Sequence, residues 1–188
     1  MKLVALLSLF SCLAIAQEPS ADEMAMMQKM MELATPGPEH ELISKMAGSW
    51  TIEGRWRMTP VEPWQTSQSK CENTMILGGR FLKTEVSGQM WGMPFNGFGF
   101  MGFDKDLKSF FSTWCDNFGT MMLVSKGSGD LEKSTIDLIS EYKDPMSGQN
   151  TKMRSVYQVK SENEVVLSMY GYNPEGDEWL TMVLTYTK

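Results

Sequence analysis

The strongest constraint on the fold is an alternation of apolar and polar residues with a period of two, which begins at Ser49. In the first run, Trp50, Ile52 and Trp56 alternate with charged or hydroxyl-bearing side chains, which predicts a strand with one buried face. Clusters of glycine, proline and asparagine then separate about ten such runs at intervals of roughly 8–12 residues. This spacing predicts an all-β sandwich or barrel, since a parallel α/β sheet would need helical segments between its strands.

The segment before the strands has the pattern of two short helices. Ser20 can cap the first helix, which is predicted to run to about Ala34, and the prolines and glycine of 35–38 end it. The second helix would carry an apolar stripe formed by Leu42, Ile43 and Met46. We therefore expect a helical segment over 17–47 and a single β domain over 48–188.

The start of the chain has the features of a removable export signal. Lys2 supplies a positive charge, an apolar run follows it, and residues 14–16 (Ala-Ile-Ala) form a small-x-small cleavage pattern. We therefore expect residues 1–16 to be removed and the mature protein, starting at Gln17, to be periplasmic or secreted. Two alternatives stay open, namely a buried N-terminal helix and lipoprotein processing at Cys12.

The charge balance argues against some partners. The chain has 17 Lys and Arg against 23 Asp and Glu, a net charge of −6, and loss of the signal would remove Lys2 and leave −7. An acidic surface repels phosphate backbones and anionic membranes, so nucleic acid is not an expected partner. No apolar run is long enough to cross a bilayer, so no stable membrane span is expected.

Two cysteines would remain in the mature chain. Disulfides can form outside the cytoplasm, so Cys71 and Cys115 could be bridged. The sequence does not show that their Cα atoms approach closely enough for a bond. We favour two small buried thiols.

Short motifs follow one another along the chain in an order and spacing that are typical of one family. They are Gly37-Pro38-Glu39-His40, Gly48-Ser49-Trp50, Leu77-Gly78-Gly79-Arg80-Phe81-Leu82, Pro94-Phe95 with Gly97, Gly99, Gly102 and Asp104, Ser112-Thr113-Trp114 with Asp116, Glu141-Tyr142, Asp144-Pro145, Gly148, Lys152-x-Arg154-Ser155-Val156 and Met169-Tyr170. Over residues 37–188 the chain resembles the bacterial domain-of-unknown-function family 1579 (DUF1579), whose members look lipocalin-like. The resemblance implies a single antiparallel up-and-down β-barrel, here of about ten strands, with an N-terminal helical plug. It supplies no reaction and no catalytic residues.

Large aromatic residues in the strands are the main candidates for a ligand site, because a small barrel either fills its interior with side chains or holds one ligand there. Gly97, Gly99 and Gly102 remove volume from one wall and favour a hollow interior, but a packed interior stays open as an alternative. The ligand would be a small apolar or amphipathic molecule. The candidate binding residues are Trp50, Trp56, Phe98, Phe100, Trp114, Arg154, Tyr157 and Tyr170.

Arg154 has two interpretations. Inside a barrel, its planar guanidinium could pair with a ligand carboxylate. Alternation instead puts Ser155 and Tyr157 on the opposite, more apolar face, and so predicts that Arg154 faces solvent and pairs with Asp137 or Glu141.

Metal and cofactor sites have little support in the sequence. His40 is the only histidine, whereas zinc usually needs three or four protein ligands, so we expect His40 to act in helix capping or as a hinge. Met24, Met27 and Met31 share one helix face and could bind Cu(I), although an apolar methionine stripe that closes a barrel end explains them as well. We expect no metal and no cofactor.

The signatures of common enzyme classes are absent: the chain has no nucleophile elbow, phosphate loop, His-Glu-x-x-His or Cys-x-x-Cys. Carboxylate pairs such as Asp104/Asp106 and Asp116/Glu141 could do acid–base chemistry but are typical of turns and acidic surfaces. We therefore favour an exported carrier of a small molecule. The alternatives are an enzyme that uses the same cavity, copper handling by the methionine-rich helix, and a packed barrel with no ligand.

Overall fold

The structure is a computed structural model that describes residues 20–145, 147–173 and 175–188. The chain divides between Ala34 and Thr35 into two compact units. The predicted export signal, residues 1–16, lies outside the described residues.

Helix α1, Ala21–Ala34, belongs to the first unit. It begins with a capping box, in which the Ser20 N–H donates to Glu23 Oε2 at 2.7 Å and the Glu23 N–H donates to Ser20 Oγ at 3.3 Å. None of the residues of α1 is buried, and its methionines are 55–67% exposed. The helix predicted from Ser20 to about Ala34 is confirmed, and its methionine side chains lie largely at the surface of this unit.

The second unit is a closed barrel, to which the described residues contribute ten antiparallel strands. Every strand pairs with its neighbours in the sequence, and β1 pairs with β10 to close the ring. This topology confirms the predicted up-and-down barrel and excludes a sandwich. The strands are β1 (Gly48–Trp56), β2 (Gln65–Ile76), β3 (Phe81–Met90), β4 (Met93–Asp104), β5 (Ser109–Asp116), β6 (Leu123–Asp130), β7 (Thr135–Lys143), β8 (Asn150–Ser161), β9 (Glu164–Tyr172) and β10 (Glu178–Thr187).

The barrel has a closed end, which helix α2 (Pro38–Ser44) covers. Leu42 and Ile43 of this helix are buried, as is Met46 just after it. The Met46 carbonyl accepts hydrogen bonds from Trp50 Nε1 and Asn73 Nδ2, each at 2.9 Å. The second predicted helix and its apolar stripe are thereby confirmed as a plug.

The turns that join β2 to β3, β4 to β5, β6 to β7 and β8 to β9 lie at the closed end. The first is the predicted tight turn at 77–80, where Gly78 and Gly79 have φ angles of 67° and 85°, which glycine adopts without strain. The loops after β1, β3, β5, β7 and β9 lie at the opposite end, which we call the open end.

The barrel core is densest next to the plug. Side chains that alternate along each strand face the interior, and residues paired across the strands share a face. Thus Ile52 pairs with Tyr186, and Tyr186 pairs with Val165, all three buried. The other inward side chains that are at most 5% exposed are Trp50, Cys71, Leu82, Met101, Phe110, Ile136, Leu138 and Leu167, together with Ser125 and Ser140.

His40 is part of the plug and acts as a cap. The Gly37 N–H donates to His40 Nδ1 at 3.1 Å, and the imidazole, only 6% exposed, packs edge-on against the Phe103 ring at 6.1 Å. Burial lowers the pKa of His40, and the charges of Lys105 and Arg80 act in the same direction, against the opposing effect of Glu39. The predicted capping role is confirmed, and the site favours the neutral imidazole.

This pKa shift predicts a loss of stability at mildly acidic pH. Because the folded pKa of His40 lies below the ordinary value of 6.5, the unfolded chain binds the proton more readily. The contribution of the neutral His40 side chain to the free energy of unfolding is fully present above that ordinary pKa. It is lost as the pH falls through the lowered pKa of the folded state. Urea unfolding at a series of pH values would show this slope, and His40→Gln, which cannot titrate, should lack it. An unchanged slope in the variant would contradict the assignment.

Candidate functional site

The barrel wall separates the eight predicted binding residues into two groups. Four of them face the interior, since their partners across the strands are inward positions. These four are Trp50 and Trp56 on β1, Trp114 on β5 and Tyr157 on β8. The remaining four lie on the outer face; three of them were expected in the cavity, whereas Arg154 lies where alternation predicts it. These four are Phe98, Phe100, Arg154 and Tyr170.

The error on β4 has a steric cause. The inward positions of this strand are Gly97 and Gly99, and a Cβ atom at Gly97 would overlap the indole ring of Trp114. The sequence suggested that these two glycines leave empty space in the interior. Instead, the ring of Trp114 lies flat against them. Phe98 and Phe100 occupy the alternate, outer positions and contact each other edge-to-face at 4.9 Å.

Arg154 is held in a network of hydrogen bonds on the outer face. Its Nε lies 2.9 Å and its Nη2 2.7 Å from the carboxylate of Asp137, and its Nη1 lies 3.1 Å from Glu178 Oε2. The guanidinium also lies 5.4 Å from the centroid of the Tyr170 ring. The pairing with Asp137 is the one that alternation predicts, and the guanidinium is already engaged outside the cavity.

The interior is less filled toward the open end than beside the plug. Many inward side chains in the open half are half-buried, although the wall surrounds them on all sides, whereas Trp56 and Ser140 are buried there. Such side chains touch space that solvent can reach, and we call this part of the barrel the hollow half. The half-buried inward residues of this half are Phe95, Ser112, Trp114, Leu123, Tyr142, Met153, Met169 and Met182. Beside the plug, Met75, Phe103 and Val159 are half-buried as well.

The inner wall carries a row of serines that the sequence did not single out, and two of them, Ser125 and Ser140, are buried. Ser112, Ser125 and Ser140 stand in register on β5, β6 and β7, and Ser155 follows on β8, beside Leu138. Small side chains leave room, and hydroxyls can both donate and accept hydrogen bonds. Only the pairing register brings these serines together, so the separate strand sequences gave no signal for the row.

Aromatic rings run from the interior to the rim of the open end. Trp56 contacts Trp91 of the β3–β4 turn at 5.7 Å, and Trp91 contacts Phe118 of the β5–β6 loop at 5.5 Å. Phe118 lies 5.9 Å from Phe95, which stacks on Trp114 at 6.5 Å. We call these five residues the aromatic rim. They give the opening an apolar border on one side.

The wall itself is split at the open end. Strands β2 and β3 pair only from Ser69↔Gly88 toward the closed end, whereas residues 65–68 pair with β1 alone and residues 89–90 with β4 alone. A cleft of about 860 Å³ lies at this split, lined by both strands and by Trp56 and Trp91. The cleft gives a lateral route between solvent and the interior.

A second concavity lies on the outer face. This groove, of about 800 Å³, crosses β1 to β5 and includes Phe98 and Cys115. Charged side chains of both signs line it, among them Lys70, Glu72 and Glu85.

The polar groups of other proposed chemistries lie apart. Cys71 faces the interior and Cys115 the outer face, and both are free thiols. Two thiols were predicted; Cys71 is buried as predicted, whereas Cys115 is only half-buried. Asp116 faces inward and Glu141 outward, so this pair does not meet. Within the described residues there is no group of three or more His, Cys, Asp or Glu side chains arranged to hold a metal ion. No helix among them combines the length and apolarity needed to cross a membrane.

One solved structure with a TM-score above 0.5 supports the fold. The chain resembles Rv2717c from M. tuberculosis with a TM-score of 0.59 at 13% identity, over 82% of this chain and 99% of that one. A redesigned beta barrel also matches, with a TM-score of 0.38 and 16% identity, over 77% of this chain and 92% of the design. No curated protein matches the sequence.

The sequence profile of the protein family of unknown function DUF1579 matches residues 35–188. This range spans the plug helix and all ten strands of the barrel, and it confirms the resemblance found in the sequence motifs. The chain therefore belongs to the DUF1579 family.

Proposed function

We propose that this protein binds a small apolar or amphipathic molecule inside the barrel and that it does so outside the cytoplasm. The observation that carries the proposal is the contrast between the two halves of the interior, densely packed beside α2 and hollow toward the open end. Methionine, leucine and tryptophan side chains border the hollow half, and binding sites for small molecules are mostly apolar and concave.

The openings support the same function. The cleft between β2 and β3, which Trp56 and Trp91 border, interrupts the wall at the open end. The aromatic rim offers an apolar path from solvent to the interior. The order of positive charge, apolar run and cleavage pattern in residues 1–16 supports the extracytoplasmic location.

Native mass spectrometry of the protein purified gently from the extracytoplasmic fraction tests both parts of the proposal. The expected result is a chain that begins at Gln17 and carries one organic molecule, which is released on denaturation. A chain found only inside the cell, with residues 1–16 intact, would contradict the proposed location. A protein that carries no organic mass and binds no N-phenyl-1-naphthylamine, a neutral apolar fluorophore, would contradict the binding function.

Copper handling by Met24, Met27 and Met31 stays a prediction from the sequence. The exposure of these side chains is compatible with it, but no further contact in the described residues favours it. We therefore carry forward the interior site alone.

A further inference from the structure

The deepest part of the interior contains two tyrosines with free hydroxyl groups. Tyr157 on β8 and Tyr186 on β10 both face inward, and Tyr186 is 9% exposed. In the described residues neither hydroxyl makes a hydrogen bond, yet no buried side-chain oxygen or nitrogen there lacks a partner. Both hydroxyl oxygens must therefore border space large enough for a water molecule.

The two tyrosines flank the same inward stretch of β9, since Tyr157 pairs with Leu167 and Tyr186 pairs with Val165. Burial raises the pKa of Tyr157 to about 12, with a smaller contribution from Cys71, and it raises the pKa of Tyr186, with contributions from Tyr157 and Cys71. Both side chains are therefore neutral phenols at physiological pH and can donate a hydrogen bond as well as accept one. The nearby Cys71 thiol already donates to Asn73 Oδ1 at 3.3 Å.

Charge is almost absent from the interior. Among the described strand residues that face inward, Asp116 alone is charged, and it lies at the open end, where it accepts hydrogen bonds from Trp114 Nε1 and the Phe118 N–H. On the described strands, no cation faces the tyrosines to balance a carboxylate, and no anion faces them to balance an ammonium group. Burying an unpaired ion at this depth would cost far more than burying a hydrogen-bonded hydroxyl or carbonyl.

We propose that the ligand is an uncharged lipophile whose hydroxyl or carbonyl oxygen hydrogen-bonds to Tyr157 and Tyr186 at the deep end of the cavity. The apolar body of the ligand then lies toward the open end, between the methionines of β8, β9 and β10 and the serine row. This assignment rests on the proposed binding function and adds to it the charge of the ligand and its direction in the barrel.

Displacement of N-phenyl-1-naphthylamine by a matched series of ligands tests the proposal. At neutral pH, dodecanol, dodecanoate, dodecylammonium and dodecane share one chain and differ in the head group. We expect dodecanol to bind at least about tenfold more tightly than either charged ligand. Equal or tighter binding of dodecanoate would overturn the proposal.

Variants that remove only the hydroxyl groups locate the contact. The double change Tyr157→Phe and Tyr186→Phe should weaken dodecanol binding about five- to tenfold and leave dodecane binding unchanged, since one or two neutral hydrogen bonds are lost. Tyr170→Phe, on the outer face, is the matched control and should change neither. If the fluorophore binds but the double variant retains full affinity for dodecanol, the deep contact is wrong and the binding function stands. If the fluorophore does not bind at all, the binding function itself fails.

Discussion

Replacing Gly97 with alanine should destabilise the barrel by about 3 kcal/mol, which lowers the melting temperature by roughly 6–12 °C. The added Cβ would occupy the position of the Trp114 ring atoms Cζ2 and Cη2. The ring cannot move aside cheaply, because its Nε1 donates to Asp116 at 3.0 Å and its face stacks on Phe95. Urea or thermal unfolding, followed by tryptophan fluorescence, measures the loss.

Two further variants show whether the clash is the cause. A Cβ at Gly119 would meet only the Met121 backbone nitrogen, at 3.9 Å, so Gly119→Ala should change stability by less than about 0.5 kcal/mol. In a background with Trp114→Val, the Gly97→Ala change should cost less than about 1 kcal/mol, because the atoms that it meets are gone. An undiminished loss in that background would show that Trp114 does not impose the glycine.

Replacing Met169 with tryptophan should abolish binding of N-phenyl-1-naphthylamine, with a loss of affinity of at least about 100-fold, or on the order of 3 kcal/mol. Met169 faces the hollow half between Ser155 on β8 and Met182 on β10. A larger side chain there fills the space that we assign to the ligand. Fluorescence titration of the purified variant, with circular dichroism to establish folding, measures the effect.

The neighbouring residue offers a matched control. Ser168 pairs with Val156 and Val183 on the outer face of the same strand, so Ser168→Trp adds a similar side chain outside the barrel and should leave the affinity unchanged. Equal losses in both variants would indicate general damage to β9. Full binding by a folded Met169→Trp variant would place the fluorophore elsewhere, for example in the groove across β1 to β5.

The fold was predictable because its signals are local. Alternation with a period of two defines each strand, and the glycines at 78–79 require a turn where β2 ends. The apolar stripe of Leu42, Ile43 and Met46 predicts the packed helix that the structure contains. For Arg154, the same alternation indicated the correct face and one correct partner, Asp137.

The site was harder to predict because both faces of some strands are apolar. On β4, the outer phenylalanines at 98 and 100 are larger than the inward glycines at 97 and 99, so hydrophobicity alone selects the wrong face. On β10, a bulge between Leu180 and Met182 shifts the alternation. The serine row and the placement of Tyr157 and Tyr186 on either side of β9 depend on strand pairing, which no single stretch of sequence contains.

The split between β2 and β3 also has a mechanical consequence. In a barrel whose strands are all paired along their length, a change of diameter must stretch the backbone hydrogen bonds between strands. Here residues 65–68 of β2 and 89–90 of β3 are not paired with each other. The open end can therefore widen at this point, as β1–β2 moves away from β3–β4, with no loss of hydrogen bonds between strands. The split ends at Ser69↔Gly88, the first residue pair between β2 and β3. The open end is therefore where the barrel diameter can change, while the strands at the end that α2 covers stay paired.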